Sequence, residues 1–337
     1  MLVRLPNWLG DVCFVAPALE ALARAAPRAR FVVAGRPAVA GLGARLPAVD
    51  ATIVLDPDRT VRGAFRAARA YRAAGCDAAL VFPRSFRAVL PVAAARVPVR
   101  VGFASDLRAA LLTHPVTGWR PLRAAHRVAY FGALLRPFGL AAPEGAWRLA
   151  PTTDDVAAAD AWLAAAPGRR PGARVVAFEP GSHYGTAKRW GPDRFAALGR
   201  ALHADGLDVV LVGTKAMAPL HAAIAAEAGV PLLSAAGATT VLGLAALLAR
   251  CDLLVGNDTG PLHLAAAVGT PVLALFGATD PAVCGPRGAG PARVLYDRVA
   301  CAPCYLETCP VPGHPCLDGI EVARVLAEAR ALLAAPS

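Results

Sequence analysis

Three short clusters in this chain combine residue types able to bind phosphate, sugar or a proton. The sharpest is Gly256-Asn257-Asp258-Thr259-Gly260-Pro261-Leu262-His263, where an apolar run ends in a compact polar turn and a helix of small residues begins. Free N–H groups at such a helix start, with Gly260 lacking a side chain, suit a diphosphate. Asp258 and Thr259 are placed to hydrogen-bond sugar hydroxyls, and His263 falls one turn into the helix. The same residues also read as a plain helix cap with a buried histidine behind it. The second cluster runs Pro180-Gly181-Ser182-His183-Tyr184-Gly185-Thr186-Ala187-Lys188-Arg189-Trp190. Such a loop can bring backbone N–H groups and the Lys188 cation to phosphates. It is not a Walker loop, because Lys188 lacks the flanking Gly and the Ser or Thr. An ordinary exposed loop with Trp190 packed as a lid is the plainer alternative. The third, Pro6-Asn7-Trp8-Leu9-Gly10-Asp11, follows the first apolar run as a tight turn into a helix. Gly10 would let a ligand approach the backbone, and Asp11 would sit at the helix start as either a base or an N-cap.

Two further groups resemble metal sites. Asp56-Pro57-Asp58 spells a D-x-D, but it follows a strand of the N-terminal half and reads as a Pro turn. Cys301, Cys304, Cys309 and Cys316, with His314 nearby, have short spacings that suit a structural zinc or iron–sulfur site. Free or redox-labile thiols are the other reading. Cys13, Cys76 and Cys251 sit in apolar surroundings and read as core.

Elements able to position these clusters alternate along the chain. Leu2–Leu5, Phe31–Ala34, Thr52–Leu55 and Ala78–Phe82 read as buried strands, with helices over Val12–Ala26 and Val61–Ala74. The pattern restarts with strands at Arg174–Phe178, Asp208–Val212, Leu253–Val255 and Val272–Phe276. Helices fall near Asp193–Ala204, Lys215–Ala228, Val241–Arg250 and Gly260–Val268, and Ile320–Leu333 closes the chain. Strands alternating with helices predict parallel α/β sheets covered on both faces. At 337 residues the chain is long enough for two such domains, with a seam where Pro167, Gly168, Pro171 and Gly172 break the pattern. Two doubly wound domains offer a cleft at the carboxyl ends of their strands.

Charge is unevenly shared. Residues 1–150 hold 21 Arg and Lys against 8 Asp and Glu, while residues 151–337 hold 14 against 16, giving the net +11. A basic first half expects an anionic partner such as a phosphorylated lipid or a membrane surface. Nucleic acid is not expected, for want of zinc-finger spacing or an RNP motif. Arg4, Pro6, Gly10 and Asp11 interrupt the first apolar stretch and spoil it as a signal core. The uncharged run Val230 to Ala249 reads as a short strand, a loop and a buried helix rather than a membrane span. A cytoplasmic enzyme, soluble or peripheral on the inner face of the membrane, is expected.

Leu9-Gly10-Asp11, Lys188-Arg189-Trp190 and Asn257-Asp258-Thr259-Gly260…His263 together resemble the ADP-heptose:lipopolysaccharide heptosyltransferases of glycosyltransferase family 9. The likeness keeps motif order over nearly the whole chain. Phe82-Pro83-Arg84-Ser85-Phe86 and the stretch from Gly102 to Leu112 are more similar to the heptosyltransferase II branch than to branch I. The resemblance implies a GT-B fold, two Rossmann-like domains facing a central cleft. Residues 1–150 would bind acceptor and 174–319 the nucleotide-sugar donor, with 151–173 as linker and 320–337 as a terminal helix. It implies inverting transfer of heptose from ADP-L-glycero-D-manno-heptose to the lipopolysaccharide inner core, with no required cofactor or metal. By the same resemblance Asp11 is the general base, with Gly10 beside it on the acceptor side. Lys188 lies near the donor's phosphate and sugar, and Asp258, Thr259, Gly260 and His263 form the donor-binding helix start. Ser182, His183 and Thr186 belong to the phosphate-proximal loop. The implied partners are ADP-heptose, an anionic lipid A-core acceptor and the inner membrane surface. Some family members carry similar cysteines and others none, which places that cluster outside catalysis. Other readings are heptosyltransferase I or another family-9 enzyme, a nucleotide-sugar epimerase of GT-B architecture, and a non-catalytic sugar-nucleotide-binding protein.

Overall fold

The computed structural model describes residues 1–56 and 60–335, so Pro57 and Asp58 of the D-x-D lie outside the described residues. The chain falls into two compact units, Met1–Trp147 and Arg148–Ser337. In the first, strands β1 (Leu2–Arg4), β2 (Phe31–Gly35), β3 (Val49–Val54), β4 (Ala78–Val81), β5 (Val99–Phe103) and β6 (His114–Val116) form one sheet in the order β3-β2-β1-β4-β5-β6. In the second, β7 (Val175–Glu179), β8 (Asp208–Leu211), β9 (Leu233–Ser234), β10 (Leu253–Asn257), β11 (Val272–Phe276) and β12 (Ala292–Tyr296) run β12-β11-β10-β7-β8-β9. All ladders are parallel. Counted from each unit's own first strand, the two orders are the same, 3-2-1-4-5-6, the doubly wound Rossmann order. Its winding reverses between the first and fourth strands, at β1/β4 and at β7/β10, where ligands bind such sheets.

The central strands are fully buried Val, Leu, Ala and Phe runs, as sheets covered on both faces require. The expectation of a buried strand over Thr52–Leu55 is corrected: β3 is an edge strand and alternates between half-buried and exposed positions. Four strands that the apolar pattern did not single out complete the sheets. Arg100 interrupts β5, while β6, β9 and β12 are short or polar because they lie at or next to an edge. Between residues 151 and 173 lies the Thr153–Ala165 helix, started by a reciprocal Thr152–Asp155 capping box and packed on the Val241–Ala249 helix.

Trp190 is fully buried in the second core, so the lid alternative is also corrected. Its indole N–H donates to the Ile320 carbonyl at 2.8 Å and ties the 180–190 loop to the start of the closing helix, Val322–Ala334. In the first unit the corresponding tie is Arg108, which has no exposed surface. Its Nε–H donates to the Phe103 carbonyl at 2.8 Å and its Nη1 to the Pro83 carbonyl, joining the ends of β4 and β5. Burial pushes the guanidinium down to about 10, which leaves it charged at neutral pH. Gly102 makes the space, since a Cβ there would lie 2.7 Å from Nη2 of Arg108. Replacing Arg108 by Leu strands these carbonyls and should cost about 3 kcal/mol or more. Urea unfolding of the variant checks this, and a loss under about 1 kcal/mol would contradict the role.

Candidate functional site

Two of the sequence clusters meet at the β7/β10 switch point. Strand β10 ends at Asn257, fully buried, whose amide donates to the carbonyls of Pro180 and Gly181 at 3.0 Å each. Its Oδ1 accepts the Trp190 N–H at 3.1 Å, so one side chain pins both ends of the 180–190 loop. Next to it the Asp258 carboxylate is buried. Oδ2 accepts from Lys188 Nζ at 2.5 Å, from the Thr279 hydroxyl at 2.7 Å and from the Cys284 thiol at 3.6 Å. Oδ1 lies 3.3 Å from His263 Nε2, which must donate because a carboxylate only accepts. Burial alone would push Asp258 up. The bond from His263 and the charge of Lys188 outweigh it and hold the carboxyl well below its ordinary range.

The pair does not exhaust Lys188. Its ammonium has three donors; among the described residues its two hydrogen bonds both go to Asp258, the second to the main-chain carbonyl at 3.4 Å, and the Tyr184 ring centroid lies 5.4 Å away. One N–H is left without a hydrogen-bond acceptor among the described residues, and Asp258 leads directly into the Gly260–Val268 helix, whose first main-chain N–H groups lack intrahelical acceptors. Thr259 is the N-cap residue but makes no side-chain cap bond. The Thr259 and Ser182 hydroxyls are buried and have no hydrogen-bond partner among the described residues. Leaving such groups unpaired costs about 1–3 kcal/mol each, which a bound oxygen could recover.

Glu179, Thr279 and Cys284 were missed by sequence reasoning. Thr279 and Cys284 come from the segment after β11, far from any motif. Glu179 ends β7, one residue beyond the strand Arg174–Phe178 read from sequence. Burial pushes its carboxyl up to about 8, against the pull of the Gly181 N–H and of Arg189. Its Oε2 lacks a partner among the described residues.

At the β1/β4 switch point the third cluster folds into the start of the Leu9–Ala25 helix. The cap reading of Asp11 is corrected: Trp8 is the N-cap residue and Asp11 stands in the first turn, where a negative charge suits the helix dipole. Gly10 is buried within that turn. Asp11 lines a cavity of about 180 Å³ with Asn7, Trp8, Arg84, Arg127 and Tyr130 among its walls. A second cavity of about 810 Å³ opens in the same unit, walled by Arg4, Arg36, Arg66 and Arg87 and by Val54, Val61 and Leu90.

The cysteine-bearing segment buttresses the Lys188 turn. Ala187 donates its N–H to the Glu307 carbonyl at 3.0 Å, and its carbonyl accepts from His314 Nε2 at 2.9 Å. Gly185 has φ of 154°, and a Cβ there would lie 2.1 Å from the Glu307 oxygen. Cys301 is exposed, Cys304 and Cys309 half-buried and Cys316 buried, and none is in a disulfide. Burial and then the neighbouring thiols of Cys301, Cys309 and Cys304 push Cys316 up to about 11. Among the described residues no three His, Cys, Asp or Glu side chains are grouped to share a metal ion, so the metal expectation gains no support. Cys13 and Cys251 are buried as expected, and Cys76 is half-buried.

Comparison with known proteins bears on the family and the fold. Residues 64–314 match the family model of glycosyltransferase family 9 (heptosyltransferase). The chain is 28% identical to lipopolysaccharide heptosyltransferase 2 of Escherichia coli K12 over 82% of each chain. It is 31% identical to lipooligosaccharide heptosyltransferase 2 of a Campylobacter jejuni strain, but spans only about half (52%) of that relative. The solved structure of E. coli ADP-heptose LPS heptosyltransferase II superposes with a TM-score of 0.82 at 25% identity, covering 98% of both chains.

Glu179 also gives a stability prediction. Its folded pKa, about 8, lies above the ordinary 4.5, so the folded state holds a proton the unfolded state has released. Its contribution is full below about pH 4.5 and is lost as pH rises through about 8. Wild type should lose on the order of 1 kcal/mol per pH unit across that window relative to Glu179→Gln. Parallel pH profiles for the two proteins, from denaturant unfolding, would contradict a buried neutral Glu179.

Proposed function

The chain belongs to glycosyltransferase family 9, the heptosyltransferases, and on that premise we propose that it transfers heptose from ADP-heptose to the inner core of lipopolysaccharide, as a heptosyltransferase II. The observation that carries the reading is the buried Lys188–Asp258 pair beside a helix N-terminus at the second unit's switch point. Lys188 meets the donor's diphosphate with its remaining N–H, and the Gly260 helix start adds main-chain donors. The Ser182 and Thr259 hydroxyls bond the same donor, with Thr186 on the adjoining turn. Asp258 and His263 act chiefly by fixing Lys188, since both carboxylate oxygens are already engaged.

Asp11 accepts the proton of the attacking acceptor hydroxyl while negative charge gathers on the leaving diphosphate. Transfer is a single displacement with inversion, and Lys188 with the helix start supplies the positive charge, so no divalent cation is required. The arginine-walled cavity of the first unit takes the anionic groups of a lipid A-core acceptor.

The lipid end of that acceptor sits in a membrane, and one face of the first unit suits contact with it. On the Val61–Ala73 helix Val61 is 73% and Phe65 71% exposed, and Arg62 and Arg69 lie on the same exposed side. Exposed apolar groups set among arginines fit an anionic bilayer surface. Among the described residues no helix is long and apolar enough to cross one. Contact at the cytoplasmic face of the inner membrane follows.

The decisive assay follows donor turnover with and without acceptor. Asp11→Asn should bind donor normally yet turn over about 10²–10⁴-fold more slowly. Lys188→Gln should raise the donor KM, by about tenfold or more. Wild-type turnover in Asp11→Asn would remove the base assignment, and donor consumption independent of acceptor would reject transfer. On the membrane side, Phe65→Asn should float less with anionic vesicles while retaining turnover of a soluble acceptor fragment. Unchanged flotation would rule out that face.

A further inference from the structure

The small cavity beside Asp11 has a charge arrangement that base catalysis alone does not call for. Two of its walls are guanidinium groups, Arg84 and Arg127. Neither forms an ion pair with a carboxylate among the described residues. Each rests instead on an aromatic face: Arg84 lies 5.1 Å from the Trp119 ring centroid and Arg127 5.4 Å from that of Tyr130. Stacking of this kind orients a planar guanidinium and leaves its in-plane N–H groups open to a ligand. The platforms are themselves fixed. The Trp119 indole donates to the Ala104 carbonyl at 3.0 Å, and Tyr130, 3% exposed, stacks on Phe103 at 4.6 Å. Arg108 holds the loop that carries Arg84 through the Pro83 carbonyl.

With Asp11 ionised the cavity still carries one positive charge in excess, so it attracts an anion. At about 180 Å³ it is too small for an oligosaccharide and suits one acidic substituent with the edge of a sugar ring. We propose that Arg84 and Arg127 form an anion subsite for a carboxylate or phosphate carried on the acceptor close to the hydroxyl that Asp11 deprotonates. Arginine forks match either oxyanion in two-point fashion and would orient the acceptor, so that only one hydroxyl reaches the base. This rests on the reading of the first unit as acceptor-binding, and it assigns regiochemistry to two side chains outside the base itself.

The test measures acceptor KM at saturating donor for three acceptor oligosaccharides: intact, with carboxyls reduced to alcohols, and with phosphates removed. Wild type should show a KM about tenfold higher for one of the two stripped forms, which identifies the oxyanion. Arg84→Gln and Arg127→Gln should each raise KM about tenfold for the intact acceptor, add little for that stripped form and leave the donor KM unchanged. Arg127→Lys should recover only part of the loss, since charge returns without the planar fork. Equal use of all three acceptors by wild type, or equal losses on intact and stripped forms, overturns the subsite while leaving transfer intact. A rise in donor KM overturns it too, by moving the arginines to the donor. If wild type transfers to no acceptor, the reaction reading fails instead. Calorimetric titration of a carboxylated and a phosphorylated monosaccharide into wild type and both variants then decides the subsite, with equal heats overturning it.

Discussion

The second unit is organised around one buried negative charge. A carboxylate without partners inside a protein is prohibitively costly, so Asp258 can occupy its position only if cations and donors converge on it. Those that do come from separate parts of the chain: Lys188 from the turn after β7, His263 from the helix after β10, and Thr279 and Cys284 from beyond β11. Asn257, one residue earlier, performs the neutral version of the same task by closing the 180–190 loop on β10. The switch point of this sheet is rigid because an electrostatic debt gathers its loops. Lys188 is thereby held in one place with one donor to spare.

The first unit repeats the strand order and solves the opposite problem. Its switch point carries two guanidinium groups, Arg84 and Arg127, supported by aromatic rings and without an ion-pair partner among the described residues, and the buried Arg108 is satisfied by main-chain carbonyls. One sheet therefore ends in a neutralised network, and the other in a surplus of positive charge beside a carboxylate. The same topology accommodates both because the segments that follow the strands set the chemistry, while the strands supply only a buried apolar base.

Much of this was legible in the residues. Gly256 to His263 announced a strand, a polar turn and a helix of small residues, and each element is where the pattern placed it. The turn at Leu9-Gly10-Asp11 was equally plain, although a helix start three residues earlier than Val12 moved the cap from Asp11 to Trp8. What stayed hidden was of two physical kinds. Edge strands such as β6 and β9 carry no continuous apolar run, because half their surface needs no burial. The partners of Asp258, Thr279 and Cys284, and the arginines on Trp119 and Tyr130, are contacts between segments distant in sequence. An arginine-rich chain gives no sign of which guanidinium groups stack and which are merely solvated. Glu179 was hidden differently, since the strand read from the apolar pattern stops one residue before it, at Phe178.

The segment from Cys301 to Cys316 reads as an ordinary surface excursion, with four prolines among its sixteen residues. Such excursions tolerate insertion, since a longer loop adds little closure entropy. This one is hooked at Glu307 and His314 to both sides of the Ala187 peptide, with Gly185 pressed flat against it. A change of length between those two hooks would therefore be felt one residue away, at Lys188. Length variation among related chains should accumulate outside residues 307–314, and a protease cutting between them would disarm the neighbouring site without touching a residue of it.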